Sequence, residues 1–262
     1  MPVDVTPGDS PLILAFPHSC SVVPEIYRRR LNPNGQALRD TDWHVDRLYS
    51  GLAPGATTVR ANFHRYVSDA NRDPSGQPLY PGQHNTGLVP LTDFDGQRIW
   101  DDPPTPREMA TLRSAYHVPY HAALSLQIAR VQSQYGFAVL WDCHSIRSHI
   151  PKLFTGLLPD FNIGTASGAS CDKKLTARIE ALCRAHGHYT VVVDGRFKGG
   201  WTTRRYGNPA RRVHAVQMEI AQSAYLASEN PPWTYDEGKA ERLRAVLGEL
   251  LTTVTGWRPD SI

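Results

Sequence analysis

The chain has 262 residues, 40% of them hydrophobic and 20% charged, a globular composition long enough to bury a sizeable core. Its formal net charge is +3 with 11 histidines taken as neutral, and no Lys/Arg-rich block occurs, which argues against a nucleic-acid partner. No apolar run approaches membrane-spanning length and residues 1–11 lack the basic and apolar regions of a signal peptide, so a cytoplasmic protein with no membrane partner is expected.

Pro11 to Phe16 reads as a buried strand stopped by Pro17. Pro24 to Arg30 suits a short helix. Asp42 to Leu52 suits another, with Trp43, Val45, Leu48 and Leu52 roughly on one face. Thr57 to Asn62 is β-branched and reads as a strand. Residues 72–106 are rich in Pro, Gly, Asp and Asn and form a long excursion without periodicity, a usual place for a lid or binding loop. Pro106 to Tyr135 carries a helical pattern with a break near Pro119.

The apolar run from Gly136 then reads as a strand over 137–142. Asp172 to His186 is an amphipathic helix capped by Asp172, with Leu175, Ile179 and Leu182 as its stripe. Tyr189 to Val193 and Val213 to Ile220 are strands, and Asp236 to Val254 is a closing helix. Strands alternating with helices, with no linker, repeat or low-complexity tract, predict one α/β domain over 1–262, a mixed central sheet flanked by helices.

Several motifs are absent. No GxGxxG follows the first strand, and there is no GxxxxGK[ST] and no GxSxG. The cysteines Cys20, Cys143, Cys171 and Cys183 form no CxxC pair, which excludes a zinc ribbon and a thioredoxin motif. Cys143 and Cys183 read as buried thiols. Arginine far outnumbers lysine, which suits forked binding of carboxylates but equally fits a GC-rich genome.

Six segments can carry chemistry. Asp142 and His144 are two apart on a strand and project together, with Trp141 and Cys143 on the other side. They fit a metal site, a catalytic dyad, or simply a surface His after a core strand. His18 lies just past the first strand, as a ligand or a structural histidine. The 40–44 segment offers Asp40 and Asp42, one of which is open to a role beyond capping.

The segment from Arg65 to Arg72 holds Asn71-Arg72, a clamp for a carboxylate or a solvated turn. On the strand over 213–220, Gln217 and Glu219 share a face, and a carboxylate there is a natural general base or an edge-strand glutamate. The stretch 195–207 is a glycine-rich, basic, aromatic loop suited to an anion.

Taken together the motifs resemble those of N-formylglutamate amidohydrolases, the deformylases of bacterial histidine degradation. They are PHS at 17–19, DTDWH at 40–44, DANR at 69–72, TGL at 86–88, FDG at 94–96, LWDCHSIRSHIP at 140–151, LPDFNIGTASGASCD at 158–172, GRFKGG at 195–200 and HAVQMEIAQSAY at 214–225. They span nearly the whole chain.

The resemblance implies a zinc-carboxypeptidase-like fold and one Zn2+ per chain, or another divalent metal in its place. The ligands would be His18, Asp42 and His144. Zinc-carboxypeptidase relatives place their carboxylate ligand three residues after the first His; here Ser21 stands there, so Asp42 substitutes, with Asp46 and Asp142 as alternatives. Glu219 would be the catalytic carboxylate and Arg65 the group that polarises the scissile carbonyl. Asn71 and Arg72 would bind one substrate carboxylate, and Arg147, Arg196 or Lys198 the other. Asp142 and Gln217 would orient the inner groups.

Cys20 stands where a small residue is usual and its role stays open. The implied activity is hydrolysis of a small dicarboxylate, N-formyl-L-glutamate, by a monomer or small homo-oligomer. The alternatives are another zinc amidohydrolase for N-acyl amino acids and a non-catalytic anion-binding protein on the same scaffold.

Overall fold

The computed structural model describes residues 1–79 and 85–260 and arranges them around one seven-stranded sheet. In chain order the strands are β1 (Val3–Thr6), β2 (Leu12–Phe16), β3 (Thr57–Ala61), β4 (Ala138–Ile146), β5 (Phe161–Gly164), β6 (Val191–Val193) and β7 (Val213–Ala221). The helices are α1 (Glu25–Arg28), α2 (Pro33–Gln36), α3 (Val45–Tyr49), α4 (Pro106–Leu112), α5 (Val118–Tyr135), α6 (Lys173–Ala185), α7 (Trp201–Tyr206) and α8 (Glu237–Gly256).

The spatial order is β1-β3-β2-β4-β7-β5-β6. Strands β3, β2, β4 and β7 are parallel, while β1 and the β5–β6 pair run the other way, so the sheet is mixed, as its sequence predicts.

Every residue of β2, β4 and β7 is buried, the composition that parallel strands need when helices cover both faces. On one face Leu12, Leu14, Trp141, Cys143, Val216 and Met218 pack against α3, α6 and α8. On the other, Ile13, Ala15, Leu140 and Ala215 pack against Tyr120, Leu124, Ile128 and Val131 of α5. Helix α8 alone buries seven side chains, from Ala240 to Val254, and each Leu or Val among them contributes about 2 kcal/mol by leaving water.

After β2 the chain moves to β3 on one side and then crosses to β4 on the other. The carboxyl ends of β2 and β4 therefore flank a topological switch point, where open α/β sheets leave a crevice for ligands.

Three differences from the sequence-based expectation matter for function. Strand β4 runs on to Ile146, beyond the expected end at 142, because β7 pairs with it over nine residues, from Ala138↔Val213 to Ile146↔Ala221. His144 is thus inside a strand rather than past its end. The helix expected over 42–52 shrinks to α3, because His44 takes left-handed φ (59°) and Asp42 instead donates its N–H to the His18 carbonyl at 3.1 Å. Asp42 is therefore no helix cap and is tied alongside His18. The stretch 195–207, read as a loop, contains α7.

The strand expected over 189–193 is only β6, and β1, β5 and α2 carried too few residues for a periodic signal.

The break near Pro119 is a π turn, Arg113–His117, between α4 and α5. Pro119 has no N–H to donate, and its ring crowds the carbonyl four residues back at Ala115; the wide turn relieves both. Outside positions 80–84, which the structure does not describe, the 72–106 excursion holds only turns and isolated bridges such as Thr92↔Arg98.

Candidate active site

Three strand ends and two connections bring the chemistry together. His18 follows β2, Asp42 precedes α3, and His144 stands on β4. Their ligand atoms lie within 4.8 Å of one another and all three residues are buried. Among the described residues this is the group of His, Cys, Asp or Glu side chains found able to hold a metal ion; Cys20 is not part of it. Asp46 is on the exposed side of α3, with Oδ2 3.4 Å from Arg60 Nη1.

Each imidazole turns the same nitrogen inward. His144 Nδ1 is 3.0 Å and His18 Nδ1 3.9 Å from Asp42 Oδ2. The outer nitrogens meet other carboxylates: His18 Nε2 is 2.8 Å from Asp69 Oδ1, and His144 Nε2 is 3.0 Å from Asp142 Oδ2. A carboxylate behind a histidine fixes its tautomer and raises its basicity toward a cation. The buried carboxylates Asp42, Asp69 and Glu219 act on the buried Arg65 guanidinium, Asp142 is buried behind His144, and Arg72 Nη1 lies 3.7 Å from Asp69 Oδ2. Two nitrogens and one carboxylate form a three-ligand set suited to a divalent metal with an open position. The residues present fit the group.

Protonation follows from these surroundings. Burial, with Arg65 adding to it, pushes His18 down to about 4, so the ring is neutral and its inner nitrogen accepts from Arg65 Nη2. Burial also acts to lower His144, but Asp142 and Asp42 outweigh it and hold the ring well above its ordinary value until a cation replaces the proton. Asp69 lies well below the carboxylate range, since Arg72, His18 and Arg65 overcome the cost of burial.

Glu219 is pushed up to about 7, chiefly by burial, which the positive charge of His144 only partly offsets. A carboxyl poised there can both accept and return a proton at neutral pH. It is 6% exposed and lies opposite His144 in the β4–β7 ladder, while Gln217 lies opposite Asp142. Gln217 Nε2 donates to Glu219 Oε2 at 2.9 Å, and Gln217 Oε1 accepts from Gly200 N at 2.6 Å.

Arg65 Nη2 reaches both His18 Nδ1 and Asp42 Oδ1, and its guanidinium lies 4.9 Å above the Phe94 ring. Asn71 Nδ2 is 3.1 Å from His144 Nε2, and Asn71 Oδ1 accepts from Thr202 N at 2.9 Å. Arg72 donates to Thr86 through Nε and Nη2 and to the Asn71 carbonyl through Nη1.

These side chains open onto a partly enclosed cleft. His18, Arg65, Asn71, Arg72, His144, Gln217 and Glu219 line its polar side, and Phe94, Ile146, Leu153 and Phe197 its apolar side. A concave site with polar and apolar walls suits a small molecule.

Of the three cations expected for a second carboxylate, Arg196 lines the cleft, its Nε held by the Leu153 carbonyl at 2.7 Å. Arg147 is turned to Asp95 at 2.8 Å and Asp40 at 3.7 Å and does not line it, and neither does Lys198. Sequence reasoning gave no role to Asp69, although it stands two residues before Asn71; on irregular backbone no periodicity says which way such a side chain points.

A model of the N-formylglutamate amidohydrolase family matches residues 10–226. The chain belongs to this family. Among its relatives, the N-formylglutamate deformylase of Pseudomonas aeruginosa is 45% identical over 253 residues, 95% of this chain and 94% of the relative. That of Pseudomonas putida is 43% identical over the same shares.

The crystal structure of N-formylglutamate amidohydrolase from Ralstonia eutropha JMP134 superposes with a TM-score of 0.81 at 27% identity, covering 97% of both chains. A protein of Agrobacterium tumefaciens shares the fold, with a TM-score of 0.72 at 21% identity over 96% of this chain and 94% of its own. The family match and the fold agree: this amidohydrolase-family chain is an α/β protein with a mixed seven-stranded sheet. Among its described residues no helix is long and apolar enough to cross a membrane.

Proposed function

We propose that this chain hydrolyses N-formyl-L-glutamate to formate and L-glutamate with one zinc ion per chain, as the last step of a histidine degradation route. The observation that carries the reading is the buried His18-Asp42-His144 group with Glu219 opposite His144, in a family whose relatives named above are deformylases. We further propose a single cytoplasmic domain over 1–262, a monomer or small homo-oligomer related in fold to zinc carboxypeptidases.

Zinc held by His18, Asp42 and His144 would lower the pKa of a water and draw electron density from the formyl oxygen. Glu219 accepts the proton of the attacking water and returns it to the departing amine, which its value near 7 allows. Arg65, charged and buried, faces the oxygen that gains negative charge. Asn71, so close to His144, suits the carboxylate nearest the reacting amide, the α-carboxylate, with Arg72 beside it. We assign the side-chain carboxylate to Arg196, the one of the three expected cations that lines the cleft.

The test is formate or acid release from a panel of N-formyl and N-acetyl amino acids, with metal content measured in parallel. N-formyl-L-glutamate should be the best substrate by kcat/KM. A better N-acetyl substrate would overturn the acyl assignment, and full activity in metal-free protein would overturn the zinc assignment.

A further inference from the structure

The backbone that carries Asn71 and Arg72 is held from behind by side chains with no place in the chemistry above. His121 Nε2 donates to the Ala70 carbonyl at 2.7 Å, and His117 Nε2 to the Arg72 carbonyl at 3.1 Å. A carbonyl only accepts, so both rings carry their proton on Nε2. In His121 the other nitrogen lies 3.1 Å from the Tyr206 hydroxyl, which is also 3.2 Å from the His121 carbonyl.

The two rings are 4.3 Å apart, and the Trp201 ring packs edge-on against His121 at 4.5 Å. Both histidines are buried, 2% and 8% exposed. They flank the end of the π turn, which closes at His117; the extra residue in that turn rotates α5 relative to α4. Being four apart, His117 and His121 then face the same segment.

We propose that His117 and His121 are positioning residues for Asn71 and Arg72. They clasp the carbonyls on either side of Asn71, so the π turn sets where this pair meets the substrate's α-carboxylate. The third carbonyl of the segment, that of Asn71, takes Arg72 Nη1 at 3.1 Å, and the Asn71 side chain is caught by Thr202 at the start of α7. The whole tripeptide is thus gripped between the π turn and α7, and a displacement of half an ångström would be felt at its side chains. The inference rests on the reading of Asn71-Arg72 as the α-carboxylate site.

The experiment compares N-formyl-L-glutamate with N-formyl-4-aminobutyrate, which is the same molecule without the α-carboxylate, using the metal-loaded enzyme. In His121→Leu, KM for N-formyl-L-glutamate should rise about tenfold while kcat changes little, the scale of one lost buried hydrogen bond. The kcat/KM for N-formyl-4-aminobutyrate should stay at the wild-type level. His121→Gln, which puts an amide N–H where Nε2 was, should restore most of the loss. Tyr206→Phe, which removes the hydroxyl at Nδ1, should shift KM in the same direction and serves if His121→Leu does not fold.

Equal losses on both substrates, or a folded variant with unchanged KM, would overturn the clasp while leaving the α-carboxylate site in place. A wild-type enzyme that does not distinguish the two substrates would overturn that site and the clasp with it.

Discussion

His144 and Glu219 are register partners on adjacent parallel strands, so a metal-ligand candidate and the proposed proton carrier stand side by side on one face of the sheet. The pairing separates their roles in a testable way. Glu219→Gln keeps the shape and the hydrogen bond from Gln217 but cannot accept a proton. Turnover should fall on the order of 10^2- to 10^4-fold, as for loss of a general base, while metal content stays unchanged. Loss of metal in this variant would make Glu219 a ligand instead.

Asp42 is the carboxylate facing both inner nitrogens. Asp42→Asn should release metal on dialysis and abolish activity. Asp142→Asn and Asp69→Asn remove only the groups behind the rings and should weaken metal affinity about 10- to 100-fold. Metal analysis of the three proteins decides the ligand; the reverse order would move the assignment to Asp142.

Gly200 leads into α7 with φ −80°, a conformation open to alanine, so its constraint is space. A Cβ there would overlap the Asn71 carboxamide. Gly200→Ala should cost about 1–3 kcal/mol in stability through overpacking and should raise KM by shifting Asn71. A thermal melt and a kinetic assay check the two effects, and an unchanged KM would break the link to Asn71.

Acid should destabilise the fold through the burial of His121 behind Asn71. Burial, with His117 adding to it, lowers His121 from 6.5 to about 3. The unfolded chain then binds a proton that the folded chain refuses. The stability from the neutral ring is full above pH 6.5 and is lost as pH falls toward 3, by a few kcal/mol at most. Denaturation of wild type and His121→Gln between pH 8 and 4 should show a shallower acid decline in the variant; parallel curves would contradict the assignment.

Removal of metal by a strong chelator should abolish formate release, and added zinc should restore it. Retained activity in protein shown to be metal-free would leave Glu219 and Arg65 without their partner.

Much of this site was legible before any coordinates. The i, i+2 alternation of β4 and β7 put Asp142 with His144 and Gln217 with Glu219, because side-chain direction in a strand follows from position alone. The long amphipathic helices were legible for the same reason. Asp69 was not, nor the clasp of His117 and His121, since each depends on irregular backbone or on a π turn whose extra residue breaks the 3.6-residue period. The departure of Arg147 from the cleft was equally hidden: its partners Asp40 and Asp95 lie on the DTDWH and FDG segments, far away in sequence. Short elements such as β5 and α7 failed because they carry neither a period nor the continuous apolar or β-branched run that revealed β2 and β3.

The nine-residue ladder between β4 and β7 has one more consequence. A slip by one residue would turn His144 or Glu219 into the opposite helical layer, so the spacing between them admits no gradual adjustment. Apart from Ile146, which belongs to the ladder, the apolar and cationic walls of the cleft are under no such constraint, since Phe94, Leu153, Arg196 and Phe197 come from connections between strands. The connections can therefore change what the cleft accepts without moving His144 relative to Glu219.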